Sequence, residues 1–217
     1  MSEAVAPVAF VGDSITEQWG FHRAGVFAAH GLINRGTSGQ TARWIAARFR
    51  GHLEVTGARG VHLLCGVNDI ARNEGAFVPV EEIVRTLAGM LDEARAMGVT
   101  AWVGSLTPAG HIPWNPSVRD APAMIAGVNA WLRAHAAGHG ATFIDYHAVL
   151  TDGAGGLRRR YGTDGLHLSV AGYAAIEPLM LGALGRAAPP HDSAPTGTVR
   201  GWIRRAIEHG RFRRGAG

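Results

Sequence analysis

The 217-residue sequence contains no lysine: all 21 of its basic residues are arginines. It has one cysteine, Cys65, which excludes an intrachain disulfide framework and any metal site built on a cysteine pair. Cys65 sits in the apolar run "VHLLCG", which suits a small buried thiol rather than a nucleophile. No apolar stretch is long enough to span a bilayer. The N-terminus "MSEAVAPVAFVGDS" lacks the basic n-region and apolar run of a signal peptide, so a cytoplasmic location is the default expectation. The 31 glycines follow no fixed period, which excludes collagen-like and low-complexity readings, and no internal repeat is visible. With 47% hydrophobic and 18% charged residues, the chain reads as a globular protein with one main domain.

The positive charge is concentrated at one end. In residues 196–217 six arginines face a single acid, Glu208, for a net of +5, which leaves −1 for residues 1–195 of a chain at +4. The globular part is therefore close to neutral, and its composition gives no argument for nucleic-acid binding. The expected division is a domain over 1–187 and a proline-rich linker plus basic segment over 188–217. In that segment Val199, Trp202, Ile203, Ala206 and Ile207 fall on one helical stripe. Residues 199–211 could thus touch an anionic membrane or a partner, although so short a stripe favours packing on the domain or on a second subunit.

Short apolar runs at 8–11, 32–34, 61–65, 100–105 and 142–145 predict strands. Between and after them the spacing predicts helices near 17–30, 41–50, 79–97, 120–137 and 169–184. The third is the clearest, with Val80, Ile83, Val84, Leu87, Met90, Leu91 and Ala94 on one face. Asp120 is a candidate cap for the fourth, with Pro122 in its first turn. Strands alternating with helices imply a parallel five-stranded sheet covered on both faces, a flavodoxin-like three-layer α/β sandwich. Ligands of such sheets bind beyond the carboxyl ends of the strands. That is where the small and polar residues stand: Gly12-Asp13-Ser14, Asn34-Arg35-Gly36, Gly66-Val67-Asn68-Asp69 and Ser105-Leu106-Thr107-Pro108.

Four segments together resemble the SGNH (GDSL-type) hydrolases, a family of esterases and lipases: "GDSI" at 12–15, "NRGTSGQT" at 34–41, "GVND" at 66–69 and "DGLHLS" at 164–169. The resemblance extends over residues 8 to about 184. It implies that Ser14 is a nucleophile, with Asp164 and His167 completing a catalytic triad. It further implies an oxyanion hole made by the Ser14 N–H, the Gly36 N–H and the Asn68 side chain. Ile15 and Leu168 depart from residues frequent in the family, and neither is a reacting group.

The residue types suit that chemistry independently. A serine hydroxyl needs a base to take its proton, and histidine is the side chain suited to do so near neutral pH. A carboxylate three residues before the histidine can reach the second imidazole nitrogen, fix the tautomer and stabilise the imidazolium. An asparagine amide can donate to a developing oxyanion where an aspartate could not. Each residue alone has a plainer reading: Ser14 as a helix cap, Asn68 as an Asx turn, His167 as a rim histidine. Their joint occurrence favours catalysis. Asp13 and Asp69 are expected to hold loops by hydrogen bonds. His111 and Trp114, on the long loop after the fourth strand, are candidate walls of the substrate pocket, whereas Trp19, Phe21 and Phe77 are better explained as core packing. No HExxH-like spacing occurs, so no metal and no cofactor are expected. The implied activity is hydrolysis of short-chain acyl esters (acetyl or aryl esters, or lysophospholipid or thioester substrates). A non-catalytic ligand-binding or membrane-docking module on the same fold, or an acyltransferase using an alcohol acceptor, are the alternatives.

Overall fold

The computed structural model describes residues 6–186, and both the domain boundary at 187 and the basic C-terminal segment lie outside the described residues. Five strands, β1 (Val8–Gly12), β2 (Leu32–Gly36), β3 (Gly60–Leu64), β4 (Thr100–Gly104) and β5 (Ala141–Ile144), form an all-parallel sheet in the order β2-β1-β3-β4-β5. After β1 the chain moves outward to β2 and then returns to the other side of β1, so the strand order reverses beside β1. Gly12 pairs in register with Gly36 on one side and Leu64 on the other. The three strands therefore end level, and the crevice expected at a reversal point opens above them.

β1 and β3 are buried along their whole length, which is why they read as unbroken apolar runs rather than as alternating patterns. The flanking helices are α1 (Ser14–His22), α2 (Ala24–Ala29), α3 (Ala42–Thr56), α4 (Val67–Ile70), α5 (Val80–Ala96), α6 (Ala121–His135), α7 (Tyr146–Leu150) and α8 (Val170–Ala183). α3, α5 and α6 pack as one group, and α1, α7 and α8 as another. α5 buries Ile83, Val84, Leu87, Met90, Leu91 and Ala94, the face its periodicity predicts. Ser169 caps α8 by accepting from the Gly172 N–H at 3.2 Å. No helix among the described residues is long and apolar enough to cross a membrane.

Three local expectations change. The helix predicted over 17–30 is two helices, interrupted at Arg23, whose backbone adopts φ −130°, ψ 37°. The Arg23 guanidinium forms a two-pronged ion pair with Glu177 of α8, each arm 2.7 Å, and a pairing so distant in sequence leaves no local signal. α3 runs through Gly51 to Thr56, well past residue 50, because Ile45, Phe49 and Leu53 recur every fourth residue on its buried face. Asp120 occupies the cap position of α6 but makes no capping bond, and lies instead 3.5 Å from Arg72.

Candidate active site

β1 delivers Ser14 to the crevice through a turn with no spare room. A Cβ on Gly12 would lie 2.3 Å from the Leu64 carbonyl oxygen and 2.1 Å from Thr16 Oγ1, so only glycine fits between β3 and α1. Asp13 follows at the helix cap, its Oδ1 accepting from the Ile15 N–H at 3.0 Å. Ser14 thereby opens α1, where backbone N–H groups have no partner within the helix. It is 5% exposed.

The segment after the short turn at residues 159–161 brings up the second half of the site. The Asp164 Oδ1 accepts from two backbone N–H groups, Leu166 at 3.0 Å and His167 at 2.8 Å, which winds the chain into a tight turn. Its Oδ2 faces His167 Nδ1 at 2.7 Å. The other ring nitrogen, Nε2, lies 3.0 Å from Ser14 Oγ across 153 residues of sequence. Partial burial raises the Asp164 carboxyl, but hydrogen bonds from the His167 ring and the two N–H groups outweigh it and hold the group below its usual range. A hydroxyl, an imidazole and an ionised carboxylate thus stand in line.

Asn68 lies in α4, which follows the end of β3, and is 1% exposed. Its Nδ2 donates to the Gln40 carbonyl oxygen at 2.9 Å, which commits one of two amide hydrogens. Its Oδ1 accepts from Asn73 Nδ2 at 2.8 Å. Gly36 is placed differently from the sequence expectation. Its N–H donates to Asn34 Oδ1 at 2.9 Å, and a Cβ there would lie 2.2 Å from the Glu17 backbone nitrogen. The glycine is required for close packing of β2 on α1, and its N–H is already engaged. Three residues on, Gly39 has φ +77° and open space where a side chain would project. Its loop is tied to the Asn68 region through the Gly39 and Gln40 carbonyls.

The loop between β4 and α6 covers the site from a third side. It is anchored by the buried Ile112 and Val118 and by Asn115 Nδ2, which donates to the Ala71 carbonyl at 3.0 Å. His111 packs against Gly165 of the aspartate–histidine turn. The Trp114 ring lies 5.9 Å from that of His167 with 30° between their planes, and its Nε1–H donates to Asn73 Oδ1 at 2.8 Å. Both loop residues therefore border the site. Ser105 and Thr107, which the sequence places on the same rim, are buried away from solvent. Trp19 is core, whereas Phe21 and Phe77 are exposed. Phe77 lines an open hollow of about 360 Å³ that reaches from Asn68 and Asn73 to Arg43, Glu74 and Glu82. Asn73 carried no sequence signal, because its importance lies in two contacts that only the fold creates.

The two structural aspartates are electrostatically unusual. Burial, with a smaller push from Asp69, moves the Asp13 carboxyl from 3.8 up to about 7 against the Ile15 N–H that favours its charge. Burial likewise raises Asp69 to about 6, although its Oδ2 accepts from the Ala42 N–H at 2.8 Å and so holds the start of α3. Buried Cys65 has its thiol pushed well up by burial, which suits packing and not nucleophilic attack. Among the described residues no cluster of three or more histidine, cysteine, aspartate or glutamate side chains could hold a metal ion.

Comparison with known proteins matches residues 10–175 to the GDSL-like lipase/acylhydrolase family. A provisionally assigned acylhydrolase of Bacteroides fragilis NCTC 9343 is 32% identical, with 85% of this chain and 88% of that one covered at a TM-score of 0.80. A GDSL-like lipase of Bacteroides thetaiotaomicron VPI-5482 is 31% identical over 83% of this chain and 88% of its own, with a TM-score of 0.79. An acetylxylan esterase of Geobacillus stearothermophilus shares the fold at 19% identity, with 86% and 97% of the chains covered and a TM-score of 0.65. No curated protein sequence matches.

Proposed function

The chain belongs to the GDSL-like lipase/acylhydrolase family and is a carboxylic ester hydrolase, and on that premise we propose that it cleaves short-chain acyl esters through an acyl-enzyme on Ser14. The observation that carries this reading is the unbroken line from Ser14 Oγ to His167 Nε2 at 3.0 Å and from His167 Nδ1 to Asp164 Oδ2 at 2.7 Å. His167 takes the hydroxyl proton as Oγ attacks the ester carbonyl carbon, and Asp164 stabilises the imidazolium that results. The carbonyl π pair moves to oxygen. We assign that oxyanion to the Ser14 N–H, the uncommitted amide hydrogen of Asn68 and the Gly39 N–H, with Gly39 replacing Gly36 because the latter's N–H is engaged by Asn34. The intermediate then expels the alcohol, which leaves with the proton held by His167. Water, deprotonated by the same imidazole, attacks the acyl-serine and frees the carboxylic acid.

We infer a preference for small substrates from the hollow that Asn68 lines, taken as the space open to an acyl chain. A long acyl chain lying there would strip water from Arg43, Glu74 and Glu82 without replacing its hydrogen bonds, a costly exchange. A short acyl group with a polar alcohol portion avoids that cost. The test uses p-nitrophenyl esters of increasing chain length: turnover is expected to be fastest with acetate, to fall with length, and to vanish in Ser14→Ala while the far-UV spectrum is kept. Equal turnover by wild type and Ser14→Ala would overturn the nucleophile assignment, and a rate that climbs steadily with chain length would overturn the substrate class.

A further inference from the structure

We propose that Trp114 and Asn73 are positioning residues that fix which end of the Asn68 amide faces the reacting carbonyl, while the same indole supports the His167 ring. The inference rests on the reading of the site given above.

An asparagine amide has two ends of similar shape and opposite chemistry. With Nδ2 turned to the crevice, Asn68 donates to an oxyanion; with Oδ1 turned there it repels one. Something must select between the two orientations. The indole Nε1–H is a donor and nothing else, so the 2.8 Å contact with Asn73 requires an acceptor there and fixes the Oδ1 of Asn73 toward Trp114. Asn73 Nδ2 is then directed to Asn68 Oδ1 at 2.8 Å and to the Gly39 carbonyl at 3.2 Å. Asn68, with its oxygen occupied, presents Nδ2 to the Gln40 carbonyl and to the crevice. Hydrogen-bond polarity thus runs one way, from indole to amide to amide.

The other edge of the relay reaches the base. The Trp114 ring lies 5.9 Å from the imidazole, on a loop pinned at Ile112, Val118 and Asn115. One side chain therefore touches both halves of the machinery, the proton acceptor and the partner of the amide donor.

The experiment is a set of three double-mutant cycles read as kcat and KM on p-nitrophenyl acetate. Trp114→Phe keeps an aromatic ring beside His167 and deletes the N–H. It is expected to lower kcat about fivefold, the scale of one neutral hydrogen bond, with KM within about twofold of wild type. Asn73→Ala should lose about as much, and the double variant no more than Asn73→Ala alone. Asn73→Asp, which turns an acceptor toward Asn68 Oδ1, should lose at least as much as alanine. In an Asn68→Ala background neither substitution should cost anything further, because the group they orient is gone. Losses that multiply in that background, or that appear in KM alone, overturn the relay, and so does a wild-type kcat for Asn73→Asp. Thermal unfolding of each variant separates these outcomes from loss of fold. Turnover by Ser14→Ala would defeat the reading of the site itself, whereas a dead Ser14→Ala alongside multiplying losses defeats the relay alone.

Discussion

Asp13→Asn should flatten the dependence of stability on pH, and the size of the effect follows from where Asp13 sits. The carboxyl is 1% exposed and is held at about 7 in the folded chain, against 3.8 for the ordinary group. A group whose folded value is raised binds its proton more tightly in the native state than in the unfolded one. The stability it contributes is fully present below about pH 4 and is lost as pH rises through about 7. At about 1.4 kcal/mol for each pH unit of displacement, the loss approaches ~4 kcal/mol as an upper bound, with relaxation and water entry reducing it to ~2–4 kcal/mol. That is a large part of the ~5–15 kcal/mol that holds a domain together. Asparagine imitates the protonated acid, since it keeps an oxygen for the Ile15 N–H and cannot ionise. Urea unfolding followed by tryptophan fluorescence at pH 5, 6, 7 and 8 measures the difference directly. The variant should lead wild type slightly at pH 5, and the lead should grow by ~2 kcal/mol or more by pH 8. Asp69 titrates in both proteins and largely cancels in the comparison. Parallel stability curves for the two proteins would show that Asp13 does not carry a buried, penalised charge.

Further outcomes test the donor assignments and the tail. Asn68→Ala should reduce kcat by about 10²–10³ with a much smaller change in KM, the signature of a group that acts on the transition state; a comparable rise in KM with kcat unchanged would move Asn68 to ground-state binding. Gly36→Ala drives a methyl group into the Glu17 backbone and should cost at least ~2 kcal/mol, on the order of 5 °C in Tm. Gly39→Ala meets open space and should lose only about 1 kcal/mol for its positive φ; the reverse ranking in thermal melts would contradict the roles given to the two glycines. For residues 188–217, the shortness of the apolar stripe predicts packing on protein rather than lipid. The full chain and a chain ending at 187 should therefore pellet alike with anionic vesicles, and selective pelleting of the full chain would assign the tail to a membrane surface.

The parallel sheet was legible in the sequence because buried strands leave continuous apolar runs and helices leave a 3.6-residue stripe, both local signals. Residues 61–65 and 80–94 show each of them. The break at Arg23 was not legible, and the ion pair this residue makes there is with Glu177 on the last helix, far outside any local window. The site divides in the same way. Ser14, Asp164 and His167 lie in short segments whose turns are encoded locally, by Gly12 and by the Asp164 side chain folding back on Leu166 and His167. The engagement of the Gly36 N–H by Asn34 was not legible either: a glycine beside a strand end can serve close packing or donate to a ligand, and the residue letter is the same for both.

By itself, then, the sequence determined which side chains are chemically able to act and on which strand ends they stand, because both follow from residue type and short-range periodicity. Only the tertiary structure decided which of them meet. The 3.0 Å contact between Ser14 and His167, the engagement of the Gly36 N–H by Asn34 and the orientation of Asn68 through Asn73 and Trp114 all depend on loops brought to one rim by the packing of the sheet. Contacts of that kind are set by long-range burial, which no window of sequence contains.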